Sequence, residues 1–312
     1  MAYQLREINR RIHTDVKEFL GECDQAYHER VELAADKILS NLDKSPIVLL
    51  SGPSGSGKTT TAGKIAGELR RRGVNSHAVS LDNYFLPINP ETSPRTPEGD
   101  LDYESPLCLD MELLDRHFTA LSRGEEILIP RYEFSRQMRN DSLGTPMKLG
   151  KHEIAIFEGI HALNDDITGR HPEATRMYIS AQSDVNEGAE LRFQGTWMRL
   201  VRRAVRDNNF RGSGVDETLG MWDNVCRGEE LYIAPYRSRA DIMFDSTLPY
   251  EVSVMRHYAE PLLRDIPHEN HRYGELKDLV RSFSWFEPVD PDLVAGDSLI
   301  REFIGGGDPH EF

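Results

Sequence analysis

Apolar residues recur first at helical spacing and then in short unbroken runs. In "HERVELAADKILSNL" (28–42), Val31, Ala34, Ala35, Ile38 and Leu39 fall on one stripe, the spacing of an amphipathic helix. "SPIVLLSG" follows as a continuous apolar run closed by glycine, which predicts a buried strand entering a turn. Beyond that turn, "KTTTAGKIAGELRRRG" repeats its apolar positions at Ala62, Ile65, Ala66 and Leu69, gathers three arginines at its end and stops at Gly73. "SHAVSL" predicts a second strand. A strand, helix, strand unit of this length crosses over right-handed with parallel strands, so both strands end at one sheet edge. Further strands are predicted at "HEIAIFEG" (152–159), "TRMYISA" (175–181) and "ADIMFDS" (240–246), giving an α/β fold with a doubly wound parallel sheet. "EEILIPRYEF" and "SLGTPMKL" predict a small antiparallel flap. Residues 87–107 read as a long ordered loop, and the glycines of "DSLIREFIGGGDPHEF" predict a frayed end.

Composition narrows the function classes. A chain of 312 residues with 38% apolar content can bury a substantial core, and one principal domain is expected. The formal charge of −15 argues against nucleic acid as a partner, because polyanion binding needs a basic surface; any anion site must be local. No apolar run reaches the ~18 residues of a membrane span, and "MAYQLREINRRIHTDVKEF" is too charged for a secretion signal. A cytoplasmic protein without a membrane partner is expected. Cys23, Cys108 and Cys226 form no metal-spaced pair and read as reduced thiols.

The candidate chemistry begins at "GPSGSGKT", Gly52 to Thr59, which matches G-x-x-x-x-G-K-[ST] between a predicted strand and a predicted helix. This is the phosphate loop of a P-loop NTPase. Gly52, Gly55 and Gly57 let backbone N–H groups turn inward around phosphate oxygens, and the helix beginning near Lys58 adds its positive end. Lys58 is expected to reach the β and γ phosphates, and Thr59 to complete a magnesium shell. Ser54, Ser56 and Thr60 complete the expected nucleotide-binding set. Asp82, in "SLDNYFLP", ends the second strand at the edge that holds this loop, so its carboxylate can face a hydroxyl presented to the γ phosphate. Six arginines lie between Arg192 and Arg211, and Arg199, Arg203 and Arg206 share one helical face, a local anion site.

The stretches "GPSGSGKTTTAGKIA", "SLDNYFLP", "DLDYESP", "IPRYEFSRQMR", "IAIFEGIHALN" and "RRAVRDNNFRG" occur in the order found in uridine kinases. From about residue 45 to 250 the chain resembles the uridine kinase and phosphoribulokinase group, and "SLIREFIGG" is similar to the tail of bacterial uridine-kinase-like nucleoside kinases. The resemblance implies that Asp82 is the base, that Glu158 holds magnesium with Thr59 and Asp82, and that Arg203, Arg206 and Arg211 belong to a helical lid, about 192–228, closing over the triphosphate. Gly159 would let the backbone pass close to the nucleotide, and Gly212 and Gly214 would let the lid hinge. Glu104 aligns with the family's ribose-binding acid, and Tyr84 and Tyr103 with its nucleoside loop. "YEFSRQMR" resembles "YDFxxHxR", so Tyr132 and Phe134 would form a base pocket, Arg139 would pair with an acid or phosphate, and Gln137 stands where the family has histidine.

These expectations divide the chain into an N-terminal helical extension (1–44), a P-loop kinase domain (45–250) and a C-terminal extension and tail (251–312). The expected activity is transfer of the γ phosphate of ATP or GTP, with magnesium, to the 5′-hydroxyl of a pyrimidine ribonucleoside, uridine or cytidine. The rivals are a kinase of another small alcohol or of a sugar phosphate, as in phosphoribulokinase, and a nucleotide-binding regulatory protein without turnover. The sequence leaves a homo-oligomer open.

Overall fold

Runs such as "IVLLS" carry apolar residues on both faces of an extended strand, so they are stable only with helices or loops on both sides. A computed structural model describes residues 2–133 and 136–307 and shows this arrangement. In chain order the elements begin with β1 (Tyr3–Gln4), α1 (Leu5–Asn41), β2 (Ile47–Ser51), α2 (Lys58–Arg71) and β3 (Ser76–Ser80). They continue with α3 (Met111–Ser122), β4 (Ile127–Glu133), β5 (Met138–Met147), β6 (Ile154–Glu158), α4 (Asp165–Thr168) and β7 (Thr175–Ser180). Then come β8 (Val185–Glu187), β9 (Glu190–Phe193), α5 (Gly195–Arg206), α6 (Val215–Gly228), β10 (Ile242–Asp245), α7 (Glu251–Arg264), α8 (Tyr273–Phe283) and α9 (Arg301–Ile304).

The central sheet has five parallel strands in the order β10-β7-β2-β6-β3, which are the five strands expected from the sequence. Its two faces feed two apolar clusters. Val48, Leu50, Ile156 and Ile179 face α1, α2, α5 and α7, whereas Ile47, Leu49, Phe157 and Tyr178 face α3 and the flap. Strand order switches sides at β2, with β6 and β3 on one side and β7 and β10 on the other, so the turn after β2 opens into the crevice where open α/β sheets bind ligands. Register places Ser80 beside Glu158 and Glu158 beside Leu50, which aligns the ends of β3, β6 and β2.

The flap is the antiparallel pair β4–β5, with a register shift between Ile129 and Arg131. Pro130 sits at that shift and has no N–H to give to a ladder. A small sheet, β1-β8-β9, was not expected; its strands have only two to four residues each, too short to show a period.

Helix α1 is much longer than the stripe at 28–42 predicts. It breaks at Asp15 (φ −158°, ψ 94°), whose carboxylate accepts the Glu18 N–H at 2.9 Å and so caps the second segment. As far as residue 307 the tail is packed rather than frayed, and residues 308–312 lie outside the described residues. Leu299, Ile300, Phe303 and Ile304 are buried, and the Tyr250 hydroxyl ties α1 to the tail through Asp24 at 2.7 Å and Ser298 at 2.8 Å. Apolar residues spaced at i, i+1, i+4 and i+5 outweigh the glycines that follow them. Among the described residues, no helix is long and apolar enough to cross a membrane.

Candidate active site

The turn after β2 is shaped by close approach. A side chain at Gly52 would put Cβ 2.0 Å from the Ile179 carbonyl oxygen, and one at Gly55 (φ +75°) would put it 2.7 Å from that of Arg199. Only glycine fits at either position. Gly57 precedes α2 and offers no side-chain cap, so the first-turn N–H groups remain open to an anion. The Ser56 hydroxyl is buried without a partner, and Lys58 Nζ makes one bond, to the Pro53 carbonyl at 3.2 Å. A ring of donors around a cradle that a Cβ would fill suits the phosphates of a nucleotide.

Two carboxylates stand at the same edge. Glu158 is the last residue of β6, and Thr59 Oγ1 donates to its Oε1 at 3.2 Å. Burial pushes the Glu158 carboxyl up to about 7, against the pull of Lys58. Asp82 lies in a short 3₁₀ turn, Leu81–Tyr84, directly after β3, where its N–H donates to Ser80 Oγ at 3.3 Å. Burial raises its pKa as well, and Lys58, Arg211 and Arg206 oppose that rise. Lys58 is lowered by burial and held up by Glu158, Asp82 and Glu302. A threonine hydroxyl with two carboxylates is the hard-oxygen set that fits magnesium.

The lid arginines are organised by an acid that sequence reading missed. Asp207, whose side chain is 3% exposed, forms ion pairs with Arg206 at 2.8 Å, Arg203 at 3.4 Å and Arg211 at 3.6 Å. Spacing gave a signal, since Asp207 follows Arg203 by four residues and precedes Arg211 by four. Arg203 Nη1 also donates to Ser54 Oγ at 2.9 Å, and Arg199 Nε to the Ser54 carbonyl at 3.0 Å, so α5 lies against the loop. Arg202 has another task. It is fully buried, binds Glu251 at 2.5 and 2.7 Å, and donates to the Gly55 carbonyl at 3.2 Å. Gly212 (φ +68°) ends the turn after α5.

The long loop faces the lid across a cleft of about 920 Å³, whose lining includes Tyr103, Glu104, Arg203, Met221, Asn224 and Arg227. Glu104 is pushed up to about 7 by burial, with Arg203 opposing. Its side chain lies where a Cβ on Gly228 would come within 2.3 Å, so the end of α6 packs against it only because residue 228 is glycine. Asp102 is buried and binds Arg227 at 2.7 Å and the Tyr232 hydroxyl at 3.1 Å, which joins the loop to the base of the lid. His161, within "IAIFEGIHALN", was also missed. It is 1% exposed, has no well-formed hydrogen-bond partner, and burial lowers it to about 4.

Several expected substrate residues stand elsewhere. Tyr84 does not reach the cleft: its ring is wholly buried against Phe157, and its hydroxyl meets His117 Nδ1 at 2.9 Å. The 3₁₀ turn that presents Asp82 rotates the residue two positions on into the core. Gly159 likewise serves packing, because a Cβ there would lie 2.7 Å from that of Leu81. Tyr132 and Arg139 are cross-strand neighbours in the flap; the former lies 5.6 Å from Phe85, and the latter binds Asp110, the cap of α3, at 2.8 Å. Gln137 Nε2 reaches the Tyr103 hydroxyl at 3.5 Å, which joins the flap to the long loop. Phe134 lies outside the described residues.

Residues 47–253 match the model of the phosphoribulokinase / uridine kinase family. A uridine kinase of Staphylococcus epidermidis is 27% identical over 206 residues, covering 65% of this chain and 88% of that protein. One from Halobacterium salinarum is 26% identical over 195 residues, covering 62% and 77%. A solved structure described as a possible uridine kinase from Bacillus stearothermophilus is 17% identical, covers 70% of this chain and 98% of its own, and superposes with a TM-score of 0.44. The chain belongs to the phosphoribulokinase / uridine kinase family: it is a kinase, a phosphotransferase with an alcohol acceptor.

Proposed function

We propose that the protein is a nucleoside kinase, transferring the γ phosphate of ATP or GTP to the 5′-hydroxyl of a pyrimidine ribonucleoside, with uridine or cytidine as the acceptor. The observation that carries this reading is the meeting of Lys58, Asp82 and Glu158 at one sheet edge, with Glu104 facing a roomy cleft under the same lid. The phosphate loop from Gly52 to Thr60 holds the triphosphate, and Lys58 follows its β and γ phosphates. Asp82 orients the acceptor hydroxyl and takes its proton as the oxygen attacks. Its raised pKa makes it a better base than a solvated aspartate, and such a base contributes typically ~10² to 10⁴ in rate. Arg203, Arg206 and Arg211 place planar donors against charge developing on the transferring group. Thr59, Glu158 and Asp82 would hold magnesium, whose charge would offset that of the phosphates. Glu104 accepts hydrogen bonds from the ribose 2′ and 3′ hydroxyls.

A sugar-phosphate acceptor is the second reading, and the cleft speaks against it. Glu98, Asp100, Glu104 and Asp223 line it beside Arg95, Arg203 and Arg227, and two of these three arginines are already engaged, Arg203 by Asp207 and Arg227 by Asp102. A doubly anionic acceptor would find few unengaged cations there. The test is a product assay with ATP and magnesium against nucleosides and sugar phosphates. Phosphorylation of uridine or cytidine is expected; turnover of a sugar phosphate alone would overturn the reading, and turnover of none would favour a regulatory role.

A further inference from the structure

Asp102 and Tyr232 are not all that joins the long loop to the base of the lid. His161 stands between the same two segments, three residues beyond the end of β6. The sheet fixes its backbone: Ser51 Oγ donates to the Ile160 carbonyl at 2.8 Å, and the Asn164 N–H to the His161 carbonyl at 2.9 Å. Its ring is buried and inclined at 70° to that of Tyr232, with centroids 6.4 Å apart. The backbone carbonyls of Glu104 and Tyr232 approach the ring, yet neither completes a well-aligned bond with it. A buried polar side chain with both nitrogens unpaired is costly, and native proteins keep few of them. Phosphoryl transfer as proposed gives this ring no role.

We propose that His161 is a positioning residue for the acceptor: its one ring N–H binds the Glu104 carbonyl and so sets where the Glu104 carboxyl meets the ribose hydroxyls. The inference rests on the nucleoside reading and adds to it a residue that acts through Glu104. Burial lowers the imidazole to about 4, so at neutral pH it is uncharged, has one donor, and can serve only one of the two carbonyls. Tyr232 is already anchored, because its hydroxyl donates to Asp102 Oδ2 at 3.1 Å. Glu104 is held on one side only. Its N–H donates to Asp102 Oδ1 at 3.2 Å, and a bond from His161 to its carbonyl fixes the other side of the same residue. With its backbone pinned on both sides and Gly228 packed against its side chain, the carboxyl has little freedom of direction. Hydrogen bonds of a site are often loose until the ligand binds and tighten when it does.

The test separates positioning from packing. Steady-state kinetics of the full-length protein compare uridine with 2′,3′-dideoxyuridine, which lacks both ribose hydroxyls, in the wild type, His161→Phe, His161→Leu and His161→Asn. The melting temperature and KM for ATP show which variants are folded. The first two variants are expected to raise KM for uridine about tenfold and to leave kcat, KM for ATP and kcat/KM for dideoxyuridine within about twofold. His161→Asn keeps a short N–H donor and should recover most of the affinity for uridine. In a Glu104→Ala background, His161→Phe should cost less than about twofold, because no carboxyl is left to position. A folded variant with unchanged KM for uridine would make His161 a core histidine. Equal losses on uridine and dideoxyuridine, or a full loss added to that of Glu104→Ala, would also overturn the proposal while leaving the nucleoside reading standing. Wild-type protein that phosphorylated neither nucleoside would remove both.

Discussion

The proposed donor and acceptor sides of the site are held by different kinds of structure. On the donor side, ladder pairing sets Leu50, Glu158 and Ser80 side by side, so the phosphate loop, Glu158 and Asp82 meet whatever the surrounding side chains are. On the acceptor side, Glu104 sits on a long loop fastened to the lid through Asp102, Arg227 and Tyr232. Backbone register governs the first, and a few side-chain bonds govern the second. A site built this way keeps its reaction while its acceptor can be changed by few substitutions.

The sharpest way to break this contrast is Asp82→Asn. Removing the proposed base should lower kcat by about 10² or more while ATP binding stays near wild type, as read by steady-state kinetics with parallel titration. Near-normal turnover would show that strand register alone does not place a base there. Asp207→Asn comes next, because one buried carboxylate aligns Arg203, Arg206 and Arg211. The amide cannot pair with them as a charge, and kcat/KM for ATP should fall about tenfold with little change in KM for the acceptor. An equal loss on both substrates would place Asp207 in the general fold of the lid.

The smallest effect tests the acceptor side. Burial raises the Glu104 carboxyl from 4.5 to about 7, so the folded protein favours the protonated acid. The stability this group contributes is complete below about pH 4.5 and is lost as pH rises through about 7. Glu104→Gln should therefore melt close to wild type at pH 5 and a few °C above it at pH 8, where ionisation penalises only the wild type. It should also raise KM for the acceptor. The same melting difference at both pH values would mean that Glu104 is not held neutral.

Legibility followed the source of each constraint. The five core strands, the phosphate loop, Asp82 and Glu158 were readable, because a buried strand needs an apolar run and a phosphate cradle needs glycines, and both requirements are local. Tyr84 was misplaced because motif order says nothing about the 3₁₀ turn that sends its ring into the core. Arg202 drew no reading of its own among six arginines, yet Glu251, 49 positions away, makes it a buried support of the phosphate loop. The tail read as loose because its glycines are visible in sequence, whereas the partners of Leu299 and Phe303 are not.

By itself, then, the sequence determined the sheet, the phosphate loop and the carboxylates at the strand ends, since each follows from residues within one short window. Tertiary structure alone decided which arginines face the site, that Asp207 gathers three of them, and that the turn Arg301–Ile304 lies beside Thr60. These depend on long-range contacts, and the free energy of such a contact is set by how two distant segments bury one another rather than by either segment alone.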